Sequence, residues 1–128
     1  MDDIRYVSKE EALKAVKQDG YALLHASEGL QVDREVVLEA VKQDGEALQY
    51  ASIALQADRE VVSEAVKENG YVLKYASEEL KNDKELVLEK RKQIEANEEL
   101  IKRLLEQQQT IKKQEEQIKS LRAQSKQK

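Results

Sequence analysis

The chain is 128 residues long, 38% of them charged and 4% aromatic, with no Cys, Trp, Phe or Pro and a single His. That composition excludes a disulfide scaffold, thiol catalysis, a Cys-ligated zinc site and a His-based metal cluster. The net charge of −4 is the sum of two opposed segments: residues 1–85 carry 19 acidic and 11 basic side chains, and residues 86–128 carry 7 and 11.

Residues 1–7 form a lead-in. The opening MDDIRYVSKEE has neither a basic end nor an apolar signal region, and no apolar run approaches the ~18 residues of a membrane span. The expectation is a cytoplasmic protein with no membrane contact. Zero Pro and four Gly predict helices with very short connections.

From residue 8 the sequence repeats every 25 residues, over 8–32, 33–57 and 58–82. Units two and three agree at 15 of 25 positions, and units one and two at 14. Gly20, Gly45 and Gly70 share one register. So do Ala15, Ala40 and Ala65, the Ala-Ser pairs at 26–27, 51–52 and 76–77, and Leu30, Leu55 and Leu80. Each unit reads as two short helices. Asp33 is a favoured N-cap, and Ser8 with Glu11 has capping-box spacing. Val36, Val37, Ala40 and Val41 then form one apolar face. Gly45 is expected at the helix end in a left-handed conformation. A second helix follows, with Ala47, Leu48, Ala51 and Leu55 on one face. Helices this short are not stable alone, so each unit must bury its face against its neighbours, which is the logic of an α-solenoid.

A fourth unit starts at Asp83 and is abandoned. Its expected Ala is Lys90, its Val is Arg91 and its Gly is Glu95. Losing the apolar pair and the Gly removes the reason to turn, so 83–128 is predicted to run on as one long helix, in which about 40 residues make a rod of ~60 Å. The sequence therefore specifies an all-α fold: a short α-solenoid of three 25-residue helix-pair repeats, then a long C-terminal helix with coiled-coil-like spacing. In a heptad frame, Ile94, Ile101, Gln108 and Glu115 occupy one seam position, and Asn97, Leu104, Ile111 and Ile118 the other. Polar residues in such a seam select register and oligomer state while lowering stability. Ile94, Ile101, Leu104, Ile111 and Ile118 are the candidate oligomerisation residues.

The units DREVVLEAVKQDGEALQYASIALQA and DREVVSEAVKENGYVLKYASEELKN resemble a tandem-repeat family known as domain of unknown function 4116. The pattern falls on Asp33 through Leu55 and Asp58 through Leu80. Unit one matches less closely, with Ser8 for the Asp, Glu11-Ala12 for the Val pair and His25 for the Tyr. The resemblance covers residues 8–89. It implies helical repeats and brings no catalytic residue or cofactor with it.

The residues themselves offer little chemistry. Asp33, Asp58 and Asp83 read as N-caps rather than a carboxylate array. The Gly residues lack phosphate-loop context. His25 lies near Ser27, but its position is Tyr in the other units, so it fills a Tyr slot. No enzyme activity, cofactor or metal is expected. In a solenoid, equivalent positions form rows. Tyr50 and Tyr75 are expected to pack between units. Tyr21, Glu46 and Tyr71 vary within a constant frame and are the candidate partner-binding residues. The acidic repeats repel nucleic acid, and the tail has no aromatic stacking groups. The leading expectation is a non-enzymatic module in which the repeat face binds a protein partner and the C-terminal helix self-associates or pairs with a partner helix. The alternatives are a spacer without a specific ligand, and weak nucleic-acid binding through the basic tail.

Overall fold

The computed structural model describes residues 3–127. Its α-helices are α1 (Lys9–Gln18), α2 (Glu28–Gln31), α3 (Arg34–Gln43), α4 (Ile53–Gln56), α5 (Arg59–Glu68), α6 (Glu78–Lys81) and α7 (Lys84–Lys126). Repeated helix pairs pack in sequence, α1 beside α3 and α3 beside α5, and the long C-terminal helix follows. The chain divides into two compact units, Met1–Ile94 and Glu95–Lys128.

The starts of α1, α3, α5 and α7 follow from their caps. Asp33 accepts from the N–H groups of Glu35 and Val36, Asp58 from those of Glu60 and Val61, and Asp83 from those of Glu85 and Leu86. Ser8 accepts from Glu11 N–H. Each carboxylate satisfies first-turn donors that have no partner within the helix.

The second half of each unit differs from a single α-helix. Gly20–His25, Gly45–Tyr50 and Gly70–Tyr75 are 3-10 helices, and the four-residue helices α2, α4 and α6 follow. The Ala-Ser pair separates the two pieces. Ala51 and Ser52 are extended, with ψ near 157° in both, and the Oγ atoms of Ser52 and Ser77 accept from Leu55 and Leu80 N–H. The apolar face is nevertheless as expected: Ala47, Leu48, Ala51 and Leu55 are all buried. A 3-10 segment of six residues and a capped single turn deliver the same side chains inward as one helix would.

The glycines also differ from expectation. No glycine among the described residues has a positive φ. Asp19, Asp44 and Asn69 end one helix in an extended conformation, and each side chain accepts from the N–H two residues on, at Tyr21, Glu46 and Tyr71. Glycine is required by proximity instead. A Cβ on Gly20 would stand 2.5 Å from the Ala40 carbonyl oxygen, one on Gly45 2.6 Å from that of Ala65, and one on Gly70 2.8 Å from that of Lys90. Each 3-10 segment thus rests directly on the backbone of the next unit's helix. Ala40 and Ala65 are wholly buried beside these contacts.

Further backbone hydrogen bonds link the units. Ser52 N–H donates to the Gln31 carbonyl and Ser77 N–H to that of Gln56, both at 3.0 Å. The lead-in plays the same part for unit one: Ser27 N–H donates to Tyr6 carbonyl at 2.9 Å. The core is a single column of Ala, Val and Leu running from Ala12 to Leu86, with no buried polar or charged residue among the described residues.

Candidate interaction surfaces

Two rows of side chains interlock along the repeats. The Tyr21 and Tyr50 rings lie 5.9 Å apart at 60°, within the range of tilted aromatic pairs. One unit on, Tyr75 OH donates to Glu46 Oε2 at 3.0 Å. Both pairs join residues 29 apart, each linking one unit to the next. Tyr50 and Tyr75 are half-buried against the core, as the sequence leads one to expect. Lys74 Nζ stands 5.1 Å from the Tyr75 ring centre. His25 is half-buried in the same row, and its Nδ1 lies 2.9 Å from the Asp3 carbonyl, which as an acceptor requires the Nδ1–H tautomer.

The predicted partner-binding residues therefore have different surroundings. Tyr21 is engaged with Tyr50 and remains 41% exposed. Partial desolvation pushes its phenol above the usual value, and the Asp44 and Glu46 carboxylates add to this. Glu46 is half-buried and holds the Tyr75 hydroxyl. Tyr71 is the most open of the three, at 59%. Its register counterpart one unit on is Ala96, which falls within α7 rather than in a 3-10 segment.

An ion-pair ladder runs along another edge. Lys9 reaches Asp33 and Glu35, Arg34 reaches Asp58 and Glu60, and Arg59 reaches Asp83 and Glu85. Each cation thereby grips the carboxylate that caps the next unit's helix. Arg34 holds the Asp58 carboxyl below the usual range, outweighing the opposing effect of burial. Arg59 does the same for Asp83, with the Leu86 N–H assisting. For Asp33, burial opposes ionisation, but the Val36 N–H and Lys9 prevail and the carboxyl is again lowered. This ladder escapes a reading that treats the aspartates as caps alone. Its signal is the recurrence of Lys9, Arg34 and Arg59 in the same 25-residue register as the acids.

The tail residues have different environments from one another. Ile94 is half-buried, with its Cγ1 3.2 Å from the Cβ position of Gly70, so it belongs to the packing of the repeats. Ile101, Leu104, Ile111 and Ile118 lie on the part of α7 beyond Ile94, where every described residue is exposed. Leu104, Ile111 and Ile118 form one column at seven-residue spacing, flanked by Gln107, Gln108, Gln114 and Glu115. No helix among the described residues is long and apolar enough to cross a membrane.

No curated protein and no solved structure matches this chain. One family does match, over residues 4–56 and 58–89. That span takes in every unit, the lead-in from Ile4 and the first turns of α7, and stops before the tail. With more than half of its residues inside that match, the chain belongs to the family described as Domain of unknown function (DUF4116).

Proposed function

We propose that this protein is a non-enzymatic protein–protein interaction module, in which the repeat face binds a protein partner and the C-terminal helix mediates helix pairing. The observation that carries this reading is the tail. Leu104, Ile111 and Ile118 stand in one column on a helix whose described residues beyond Ile94 are all exposed. A helix with a narrow apolar seam of this kind buries it by pairing with another helix. The open Tyr71 ring on the repeat face supports the second half of the proposal, because tyrosine combines a large contact area with a polar tip and is enriched at binding hot spots.

Sedimentation equilibrium of the full chain tests helix pairing. The full chain is expected to associate at high micromolar concentration, and the Ile111→Glu, Ile118→Glu double variant to remain a monomer with unchanged helicity. Monomers in both samples would remove self-association from the proposal. For the repeat face, affinity capture with the full chain is compared with the Tyr21→Ala, Tyr71→Ala variant. A protein retained by the first and lost by the second, with folding intact, supports the assignment, and identical capture by both counts against it.

A further inference from the structure

We infer that the C-terminal helix pairs antiparallel with a second copy of itself, about a two-fold axis near Gln109 and Thr110. The inference rests on the helix pairing proposed above and adds the partner and its direction. Charge order along the tail carries it. From residue 95 the ionised side chains run Glu95, Glu98, Glu99, Lys102, Arg103, Glu106, and then, past an uncharged stretch from Gln107 to Ile111, Lys112, Lys113, Glu115, Glu116, Lys119, Arg122, Lys126, Lys128.

Read backwards from Lys128, the second group is the first with every sign reversed, apart from two additional lysines. In the heptad frame most of these charges lie on the outer face of the helix; folding about residues 109–110 sets Glu98, which flanks the seam, beside Lys119 of the second copy and Lys119 beside its Glu98, and it sets Glu115 and Arg122, which lie in the seam, opposite Leu104 and Asn97. The same fold places Ile101 opposite Ile118, and Leu100 opposite Leu121. All four of these apolar side chains are 49% exposed or more, and all are available to a partner on that count. A parallel pair in register sets Glu115 against Glu115 and Arg122 against Arg122 within the seam, acid beside acid and base beside base.

Exposed ion pairs contribute little affinity one at a time. Their effect is on orientation, since like charges brought side by side are penalised and flanking charges set partner choice and direction in paired helices. The apolar column is too sparse to impose a direction by itself. The two Glu98–Lys119 pairs and the separation of like charges within the seam decide it.

The chain contains no Cys, so spin labels can be placed singly on the full-length protein at Gln109→Cys and at Gln124→Cys, both on exposed positions. Dipolar spectroscopy then reads the separation of each label from its mate in the second copy. An antiparallel pair gives a short distance at 109 and roughly 45 Å at 124, from 1.5 Å per residue on either side of the axis. Short distances at both positions mean a parallel pair, which overturns the direction while leaving self-association standing. Absence of dipolar modulation at concentrations where sedimentation also finds monomer overturns the direction and the pairing together. A long distance at 109 places the axis elsewhere and overturns the register.

Discussion

The carbonyl oxygen of Ala65 lies 2.6 Å from where a Cβ on Gly45 would stand, with Glu68 Oε2 at 2.9 Å. The carboxylate end can move, but the carbonyl is part of a helix backbone and cannot. Gly45→Ala is therefore expected to destabilise by ~2 kcal/mol or more, towards the upper end of what overpacking a tight interior costs. Gly29 is the internal control. It lies in α2 with nothing within 4 Å of its Cβ position, so Gly29→Ala is expected to stabilise by roughly 0.5 kcal/mol through the unfolded chain. Denaturant unfolding of the two variants checks both signs, and equal effects would contradict the packing argument. The recurrence of Gly every 25 residues is plain in the sequence, but its cause is not, because a left-handed turn and a close backbone approach select the same residue. The aspartate row behaves similarly: its capping role is legible beforehand, its grip by Lys9, Arg34 and Arg59 only in three dimensions. That grip has a pH signature. The folded-state carboxyls of Asp33, Asp58 and Asp83 are all depressed, so their contribution is complete above the unfolded value of ~3.9 and is lost as pH falls through the lower folded values. The melting temperature should fall between pH 5 and pH 2. Asp58→Asn should lower stability at pH 7 by no more than ~1 kcal/mol, as befits a partly exposed pair, and should make that acid limb shallower.

Among the elements, the long helices were the legible ones and the short ones were not. A ten-residue helix with Asp in front and four apolar side chains on one face announces itself through periodicity. Gly45–Tyr50 and Ile53–Gln56 are too short to show a period, and their buried residues at 47, 48, 51 and 55 satisfy a continuous helix equally well. Only the position of Ser52, an N-cap residue inside an apparent helix, hints at the break. Loss of the cap by Ser52→Ala is expected to cost ~1 kcal/mol, measured by denaturant unfolding. The junction between the repeats and the tail is sharper in the structure than in the sequence. Helix α7 takes the place of a fourth unit's first helix as far as Ile94: Leu86 is buried, Glu89 accepts from Ser63 Oγ, and Gln93 Oε1 accepts from Gly70 N–H at 2.7 Å. A chain ended at Lys90 would strip the partner from that N–H, which costs about 1–3 kcal/mol where water cannot replace it. A chain ended at Ile94 keeps it. Thermal melts of the two truncations should therefore differ, with the 94-residue form the more stable, and coincident melts would show that the contact carries no stability.

Helical repeats gain stability from the interfaces between neighbours, since no unit has a core of its own. Here every link that joins the units recurs: the Gly against a carbonyl, the Ser N–H to a carbonyl, the cation to the next cap, and the interlocked Tyr and Glu side chains. The lead-in extends this set backwards, with Tyr6 in the part that Gln31 and Gln56 play, and the first turns of α7 extend it forwards. With both outer units supported in this way, residues 8–94 should open as one cooperative block rather than fray from either end. The tail obeys a different rule, because its apolar side chains are spaced for a narrow seam and its described residues are exposed throughout beyond Ile94. Hydrogen exchange separates the two behaviours. Amides of the buried helix positions in α1, α3 and α5 are expected to exchange together at the rate set by global unfolding, independent of protein concentration. Amides from Leu100 to Leu121 are expected to exchange orders of magnitude faster in dilute solution, since an isolated helix in water opens readily, and to slow as concentration rises and pairing buries the seam. Protection that reaches the tail at the lowest concentration would mean that its helix is held by something other than a second copy. Concentration dependence confined to the tail, with that of the repeats flat, is the pattern that the exposed column and the mirrored charges require.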